Sequence, residues 1–350
     1  MPSILPLSAE RTPTPSVGGS SPAGAFIRQT QQRSAPLRLE LARCALCANG
    51  EEVPIAVGED FEYRTCPDTF LVVRCRSCGL VYLRLRPADT ELERIYPPEY
   101  HAFDFSAEKY GLAWAIRRRL EARRVLRFCR GLPNDARILD VGCGDGFHLK
   151  LLREFGDPTW QLEGVDTIEL AVSAARRSGL LVHQGGVESL PRIRRGYDLA
   201  LLIATIEHVP NPVEVLASTR ALLRPGGRVA VVTDNTAAWS HALFRGRYWG
   251  GYHCPRHLYL FNPATLRRLA DLTHLEVVRL GTMVSPVNWV YSIHNALVDL
   301  HAGEWLVNRF SLASPGSLAA FTLLGMLQQL LDRGELLEAE LRRPEGDDAD

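Results

Sequence analysis

Three features are scarce in this sequence, and each absence excludes a class of protein. The 350 residues carry 40 basic and 40 acidic side chains, so neither sign of charge is in excess. Zero net charge argues against a protein that coats nucleic acid by bulk attraction. The N-terminus has no continuous apolar segment of the kind that forms a secretory signal. Eight cysteines are too few for a disulfide scaffold in a chain of this length.

What remains is typical of a globular protein. Hydrophobic residues make up 46% of the chain and charged residues 23%, so the chain can bury a sizeable core. Lysine is almost absent, since Lys109 and Lys150 are the only two among the 40 basic residues. We attribute this preference for arginine over lysine to the codon composition of the genome. At about 150 residues per domain, the length predicts two domains, or two and a tail.

Composition changes along the chain and divides it into six segments. Residues 1–36 are rich in Ser, Pro, Gly and Thr and predict a disordered tail, although an acid-poor leader with arginines also suits a transit peptide. The other segments that we predict are a cysteine-containing domain at 37–96, a helical connector at 97–133, a cofactor-binding core at 134–285, a helical lid or insertion at 286–334, and a last strand with an acidic tail at 335–350.

From residue 134 onward, strand patterns alternate with helix patterns. Such alternation predicts an α/β fold with a doubly wound parallel sheet. The predicted strands are 137–141, 161–166, 180–184, 197–205, 228–234, 275–283 and 336–341. The predicted helices are 147–155, 168–178, 212–223 and 263–273, after an earlier arginine-rich helix at 108–130.

A glycine-rich turn follows the first of these strands. The sequence is Asp140-x-Gly142-x-Gly144-x-Gly146, and a helix pattern begins directly after it. Glycine permits the unusual backbone angles of such a turn and the close approach of a ligand. Exposed amides at a helix start favour a carboxylate or phosphate. Asp166 ends the next strand, where a carboxylate can bind both hydroxyls of a ribose. The pattern therefore predicts a cofactor that contains a nucleoside.

The form of this turn differs from the dinucleotide pattern G-x-G-x-x-G. It resembles instead the first motif of class I S-adenosylmethionine-dependent methyltransferases. Further matches are Gly164-Val165-Asp166, the segment Ile206–Pro210 after the fourth strand, and Leu223–Gly227 before the fifth. The resemblance implies a Rossmann-like sheet of seven strands with the last one antiparallel, and S-adenosylmethionine as the cofactor. The alternatives are a Rossmann domain for another nucleotide and a methyltransferase-like domain without activity.

The same resemblance implies which residues bind the cofactor. Asp140 and the backbone of the turn would hold the methionine part, Asp166 the ribose, and Val187 with Glu188 the adenine. Gly186 stands where the family often has an acidic residue, which leaves adenine recognition to the main chain or to Glu188. The complete predicted set is Asp140, Gly142, Cys143, Gly144, Gly146, Asp166, Thr167, Val187, Glu188 and Ala204.

Two C-x-x-C pairs lie upstream of the predicted core. Cys44, Cys47, Cys75 and Cys78 can supply four thiolates to one tetrahedral Zn²⁺, which would be structural because its coordination shell is closed. Reduced, unligated or redox-active cysteines are the alternative. A zinc ribbon before a methyltransferase core resembles bacterial sugar and natural-product methyltransferases, in which Cys75–Tyr82 and a segment like Tyr96–Tyr100 have counterparts. A few ribosomal RNA methyltransferases also carry such a site.

Candidate catalytic groups lie at the carboxyl ends of the fourth and fifth strands. His208 is the predicted base and Glu207 its partner, because a Glu-His pair at this place is implicated in proton removal in related sugar C-methyltransferases. His257 follows the fifth strand, and we expect it and Arg256 to face a polar or anionic acceptor. Capping, packing and other structural roles are the alternatives for these side chains.

These observations predict methyl transfer to a small-molecule or saccharide acceptor, at carbon or oxygen, by a cytoplasmic enzyme. The runner-up is an RNA methyltransferase that docks through the ribbon and the arginines of residues 117–130, although nucleic acid is an unexpected partner for this composition. A third hypothesis is a module that senses S-adenosylmethionine without turnover. The uncharged segment 310–331 predicts a lid, or a weak peripheral membrane contact, and the oligomeric state is open.

Overall fold

The computed structural model describes residues 35–97, 100, 107–191 and 196–346, with no side-chain detail for 107–114, 116 and 117. The predicted tail, except for its last two residues, and the end of the acidic tail lie outside these ranges. The strands are β1 (Leu39–Leu41), β2 (Glu52–Glu59), β3 (Thr69–Cys75), β4 (Val81–Leu83), β5 (Leu85–Pro87), β6 (Arg137–Val141), β7 (Gln161–Asp166), β8 (Leu181–Gln184), β9 (Tyr197–Ile203), β10 (Leu223–Asp234), β11 (Tyr259–Leu260), β12 (Glu276–Met283) and β13 (Leu336–Arg342). The helices are α1 (Leu92–Ile95), α2 (Ala107–Phe128), α3 (Phe147–Phe155), α4 (Glu169–Arg177), α5 (Pro212–Leu222), α6 (Trp239–Phe244), α7 (Pro263–Leu272), α8 (Val287–Asp299), α9 (Glu304–Arg309) and α10 (Pro315–Leu330).

Seven strands form the larger sheet, in the order β12-β13-β10-β9-β6-β7-β8. The strands from β10 to β8 run parallel to their neighbours, whereas β13 is antiparallel to both β10 and β12. The predicted fold class, a doubly wound sheet with an antiparallel last strand, is therefore confirmed. The central strand β9 is buried at all of its positions, as expected of a parallel strand that helices cover on both faces.

Two strand boundaries differ from the prediction, and each difference has a local cause. The strand predicted to reach residue 205 ends at Ile203, because Ala204 adopts a left-handed φ of 52° that breaks the extended backbone. Strand β10 begins at Leu223 and not at Arg228, since Leu223 already pairs with Tyr197 of β9 and a register shift lies between Leu223 and Arg228, where regular pairing resumes. The first of these irregularities lies at the carboxyl end of β9.

A smaller four-stranded sheet carries the cysteine pairs. Its order is β11-β4-β3-β2, so its edge strand β11 comes from the segment that follows β10 in the larger sheet. Tyr259 pairs with Tyr82 and Leu260 with Val81. The predicted boundary between the cysteine domain and the core stays a prediction, but hydrogen bonds between backbones join the two parts.

Three arginines of α2 form ion pairs with acids of the same chain. Arg127 and Arg279 both form ion pairs with Glu338 of β13, which is only 3% exposed. Arg118 pairs with Glu154 in α3. Part of the positive charge of this helix is therefore neutralised by acids of the same chain.

Helices α8 and α10, within the segment predicted as a lid or insertion, pack against each other. The indole Nε1 of Trp289 donates to Gln328 Oε1 at 3.0 Å, and the ring of Phe321 stacks on Trp289 with centroids 5.6 Å apart. The outer face of α10 exposes apolar side chains, among them Leu323 and Leu330. Within the described ranges, no helix is both long and apolar enough to cross a bilayer. The weak membrane contact of this segment stays a prediction.

The buried position of Glu338 leads to a stability prediction. Replacing it by glutamine leaves Arg127 and Arg279 without a charged partner, so we expect the free energy of unfolding to fall by about 2 kcal/mol. Denaturant unfolding measures this change. Glu276→Gln is the matched control, because its pair with Arg342 is exposed and should be worth less than about 1 kcal/mol. Equal effects of the two substitutions would contradict the interpretation.

Candidate active site

The predicted glycine turn lies between β6 and α3. Gly142, Gly144 and Gly146 have φ angles of 70°, 55° and 81°, in the left-handed region that side chains disfavour. A Cβ atom at Gly142 would lie 2.5 Å from Thr205 Cγ2, so the turn packs directly against the end of β9. At Gly144, apart from the glycine itself and its two chain neighbours, no atom of the described residues lies within 4 Å of the Cβ position. The turn therefore has a packed side and an open side, and a ligand can approach its main chain from the open side.

Asp166 faces this turn from the end of β7. Its Oδ2 accepts a hydrogen bond from the backbone amide of Gly144 at 2.8 Å, and its Oδ1 accepts one from Ile168 at 2.8 Å. Burial raises the pKa of Asp166, and these amides oppose the shift. The hydrogen bonds hold the carboxylate in one orientation beside the open turn, and each oxygen keeps a lone pair for a ribose hydroxyl.

Asp140 is the most deeply buried acid of the turn. It is 1% exposed, and among the described residues its Oδ2 atom has no hydrogen-bond partner, although His148 Nδ1 lies 3.8 Å away. Burial raises its pKa well above the ordinary value, and the charges of Asp166 and Asp145 raise it further. A buried polar atom without a partner is costly. The amino group of a bound S-adenosylmethionine is a donor of the right charge for this oxygen, so the residues present fit that cofactor.

The remaining predicted cofactor residues lie around the same edge of the sheet. Cys143 and Val187 are buried, whereas Thr167, Glu188 and Ala204 are exposed. Gly186 and Glu188 are of special interest, because the sequence lacks an acid at position 186. A Cβ atom at Gly186 would lie 1.9 Å from Glu188 Oε1. The carboxylate of Glu188 thus occupies the space beside residue 186, where the family's acidic side chain would begin.

The Glu207-His208 pair follows β9, beyond Thr205. Glu207 is 1% exposed, and its Oε2 atom has no hydrogen-bond partner in the part of the chain that the structure describes. Burial raises the pKa of Glu207 to about 8, with a further contribution from Asp234. Burial, and then His257, lower the pKa of His208 well below its ordinary value. At neutral pH the imidazole of His208 is therefore uncharged, and the carboxyl of Glu207 is largely protonated.

His208 is oriented by two contacts at its Nδ1 atom. The hydroxyl of Tyr96 lies 2.9 Å away, and the carbonyl oxygen of Arg256 lies 3.2 Å away. A carbonyl can only accept, so the contact with Arg256 favours a proton on Nδ1 and leaves Nε2 as the basic nitrogen. The structure brings Tyr96 to the site, although the sequence indicated it only through the resemblance of residues 96–100.

His257 reaches the same cluster from the segment after β10. Its Nδ1 lies 2.8 Å from the carbonyl of Gly251 and 3.3 Å from Asp234 Oδ2. Each of Glu207, His208 and His257 has one atom that could bind a metal, and these three atoms lie within 4.8 Å of one another. The three predicted catalytic side chains are therefore adjacent, and they are of types that could also hold a divalent cation.

The expectation that Arg256 faces the acceptor is wrong. Its side chain and that of Asp60 are both 0% exposed, and the two form a bidentate pair with both N–O distances at 3.1 Å. The Asp60 carboxylate lies 196 positions upstream, so no local pattern indicated it. A guanidinium without its own carboxylate would have been free for an anionic substrate, whereas this one is neutralised inside the protein.

Sequence reasoning also missed Asp234 and His253. Asp234 ends β10 and accepts a hydrogen bond from Asn288 Nδ2 at 2.6 Å, while burial raises its pKa to about 7. His253 Nδ1 lies 2.8 Å from Glu62 Oε1 in the cysteine-containing part. The position of Asp234 at a carboxyl strand end was a usable signal. The pairing of His253 with Glu62 was not, because it joins distant segments.

The four cysteines of the two C-x-x-C pairs form one cluster. Cys44 Sγ lies 3.3 Å from Cys78 Sγ, and Cys47 Sγ lies 3.5 Å from the sulfurs of Cys44 and Cys75. All four ligand atoms are within 4.8 Å of one another. Four thiolates at this spacing are a donor set that suits tetrahedral Zn²⁺.

The two pairs are also alike in backbone. Ala48 N donates to Cys44 O at 2.9 Å, and Gly79 N donates to Cys75 O at 3.0 Å. Both residues have a positive φ, 53° at Ala48 and 80° at Gly79. Each C-x-x-C pair therefore ends in the same left-handed knuckle turn, which turns its two sulfurs to one side.

Comparisons with known proteins agree with this geometry. A family model described as a methyltransferase domain matches residues 113–280. The chain is 29% identical to the ubiquinone biosynthesis O-methyltransferase of Aromatoleum aromaticum over 174 residues, which are 45% of this chain and 72% of the relative. The matched domain and the descriptions of these relatives support a class I S-adenosylmethionine-dependent methyltransferase. The protein of the same description from Pectobacterium carotovorum is 33% identical over 118 residues, 32% of this methyltransferase and 49% of that relative, so the match spans about half of the relative's length.

Two of the solved structures whose backbones align with this chain are named methyltransferases. Phosphoethanolamine N-methyltransferase 2 of Haemonchus contortus, solved in complex with S-adenosylmethionine, aligns with a TM-score of 0.49 at 15% identity over 84% of this chain and 68% of its own. A putative methyltransferase of Haloferax volcanii, in complex with the Trm112 activator, aligns with a TM-score of 0.47 at 16% identity over 70% of this chain and 96% of that one.

Asp140 provides a test of the cofactor site of this methyltransferase. We expect Asp140→Asn to weaken S-adenosylmethionine binding by about 10- to 100-fold in calorimetry, because a charge-assisted hydrogen bond is lost. Asp145→Asn is the matched control, since Asp145 lies in the same turn but is paired with Lys150. Unchanged affinity of the Asp140 variant would contradict the assignment.

The same substitution should make the stability of the cofactor-free protein less dependent on pH. The folded-state pKa of Asp140 is raised, so the stability that its protonation contributes is complete below about pH 4 and is lost as the pH rises toward the folded-state pKa. Asp140→Asn removes this loss. Thermal unfolding from pH 5 to 8 should therefore be less dependent on pH in the variant than in the wild type.

Proposed function

We propose that the protein transfers a methyl group from S-adenosylmethionine to a small-molecule or glycan-type acceptor, at oxygen or carbon. The observation that carries this proposal is the position of His208, which lies beside Glu207 with its Nδ1 atom 2.9 Å from the hydroxyl of Tyr96, at the strand end that packs on the glycine turn. A base is needed where the acceptor atom holds a proton. Two of the compared relatives are named O-methyltransferases, which supports oxygen as the acceptor atom.

The glycine turn and its acids are the proposed cofactor site. Asp140 would bind the amino group of the methionine part, and Asp166, already oriented by Gly144, would bind the ribose hydroxyls. Glu188, beside Gly186, would bind the adenine. When bound, the cofactor would supply a methyl group on a sulfonium, and an acceptor in line with the carbon–sulfur bond can take the methyl group while the sulfur leaves as a thioether.

His208 would act as the general base. With the proton on Nδ1, its Nε2 can accept the proton of the acceptor hydroxyl as the new bond to carbon forms. Glu207 would be its partner, because its largely protonated carboxyl can donate a hydrogen bond to the acceptor or pass a proton within the cluster. Burial and the neighbouring His257 keep the imidazole uncharged before the reaction, and alignment of acceptor and methyl group supplies the rest of the rate.

The RNA methyltransferase alternative receives less support from the fold. It requires the arginines of α2 as a docking surface, and Arg118, Arg124 and Arg127 are paired with acids of this chain. Salt-dependent binding of RNA by the purified protein would favour this alternative over the small-molecule acceptor.

We also propose that the four-cysteine cluster holds one structural Zn²⁺. Four protein ligands complete a tetrahedral shell and leave no position for a substrate. The metal would stabilise the smaller sheet, which contacts the catalytic cluster through β11.

Substitution of His208 tests the catalytic proposal. His208→Ala should lower the turnover of phenolic or sugar-nucleotide acceptors by about 10²- to 10⁴-fold and leave S-adenosylmethionine affinity unchanged. His183→Ala is the control, because His183 is a half-buried histidine paired with Glu163 on β7. Since the pKa of His208 lies well below 6.5, the wild-type rate should be retained at pH 6. Turnover that survives the loss of His208 would refute the base role.

The zinc proposal is tested by metal analysis. Protein purified without chelators should contain about one zinc per chain, and Cys78→Ser should lose it together with thermal stability. Cys66→Ser is the matched control, because Cys66 is buried in the same part of the chain but outside the cluster. Wild-type protein without zinc would refute the proposal.

A further inference from the structure

Arg256 is buried, and its side chain makes contacts in several directions. Its Nε donates to the carbonyl of Ile95 at 2.6 Å, and its two Nη atoms bind the two oxygens of Asp60. The guanidinium carbon lies 4.5 Å from the ring centroid of Tyr63. Such a residue is surrounded on all sides, so its position is determined by its partners.

These contacts form a closed circuit around His208. The Ile95 carbonyl, which receives the Nε–H of Arg256, is joined by a peptide bond to Tyr96. The hydroxyl of Tyr96 lies 2.9 Å from His208 Nδ1. The carbonyl of Arg256 itself lies 3.2 Å from the same nitrogen. Both groups that contact His208 Nδ1 are therefore attached to Arg256, one by a hydrogen bond and the other covalently.

Asp60 holds Arg256 from the opposite side. It belongs to the turn directly after β2, and besides Arg256 its carboxylate accepts from Tyr63 N at 3.1 Å, Thr65 N at 2.8 Å and Thr65 Oγ1 at 2.7 Å. A carboxylate with this many donors has one orientation, and it presents both oxygens to the guanidinium. The position of Arg256 is thereby set by the cysteine-containing part of the chain.

We propose that Asp60 and Arg256 are positioning residues, which hold His208 in the tautomer that carries its proton on Nδ1 and leaves Nε2 bare. The catalytic consequence of this inference rests on the proposed base role of His208, but the tautomer itself does not. Neither residue would touch the acceptor. Asp60 would make the N-terminal part of the chain a requirement for the chemistry of the methyltransferase core.

A second ion pair at the same end of β2 provides a matched comparison. Arg247 binds Glu59 at 2.7 Å and Asp299 at 3.2 Å. Glu59 is the neighbour of Asp60 in sequence, and this pair also joins the cysteine-containing part to the core. It is partly exposed, and its carboxylates are not those that hold Arg256. Arg247→Lys therefore perturbs the same junction without changing the circuit around His208.

The experiment is histidine nitrogen NMR of the full-length protein, because the two tautomers differ in which ring nitrogen has the resonance of a protonated atom. In the wild type and in Arg247→Lys we expect a protonated Nδ1 at His208. In Asp60→Asn and Arg256→Lys we expect a mixture in which the Nε2–H form is populated. Arg256→Lys keeps a buried positive charge beside Asp60, so it should fold even where Asp60→Asn does not. An unchanged tautomer in a folded Arg256→Lys protein would overturn the inference.

Two further readouts separate this inference from the base role. Calorimetry should give the same S-adenosylmethionine affinity in the variants, while their turnover falls about 10²-fold, as displacement of a reacting group by about 1 Å causes. If the tautomer changes but His208→Ala retains turnover, the base role is wrong and the positioning stands. If His208→Ala is inactive but the tautomer is unaffected in the variants, the positioning is wrong and the base role stands.

Discussion

The backbone of Leu258 and Tyr259 connects the seven-stranded sheet to the four-stranded sheet, and the candidate active site depends on this connection. Leu258 N donates to the carbonyl of Glu207 at 2.7 Å, and Leu83 N donates to the carbonyl of Leu258 at 3.0 Å. One short segment is thus bonded to the loop after β9 and to the smaller sheet. Because these are main-chain hydrogen bonds within a buried core, they hold the Glu207-His208 pair at a constant place relative to the N-terminal part.

Around this junction the protein buries ionisable groups, which costs free energy of folding. Asp140, Glu207 and Asp234 are all acids whose pKa is raised by burial, while burial lowers the pKa of His208. A fold that served stability alone would place such groups in water. These groups are concentrated at the carboxyl ends of β6, β9 and β10. This arrangement suits a reaction centre, because proton transfer and cofactor binding need charged groups whose interactions are not screened by water.

The sequence predicted the parts of the structure that local patterns determine. Strand β6, the glycine turn and α3 follow from apolar runs and from glycines that adopt positive φ. Asp166 follows from its distance along a βαβ unit. Arg256 was assigned wrongly, since its environment depends on Asp60 in the turn after β2. The contact of Tyr96 with His208 was unpredictable for the same reason, because it requires knowing how the end of the cysteine-containing segment packs on the core.

The charge distribution shows the same division. Sequence alone separates a basic helix from an acidic terminus, but it does not say whether they attract partners or each other. The ion pairs of Glu338 with Arg127 and Arg279 show that part of this charge is used inside the fold. The zero net charge of the whole chain therefore includes charges of opposite sign that pair with each other inside the fold.

The central claim is that the open glycine turn and His208 face one reaction centre. A crystal structure with S-adenosylhomocysteine, the product of the cofactor, tests it most directly. The account predicts that the amino group lies on Asp140, the ribose hydroxyls on Asp166, and the sulfur on the side of the turn that faces Tyr96 and His208. A ligand bound elsewhere, or with its sulfur directed away from His208, would contradict it.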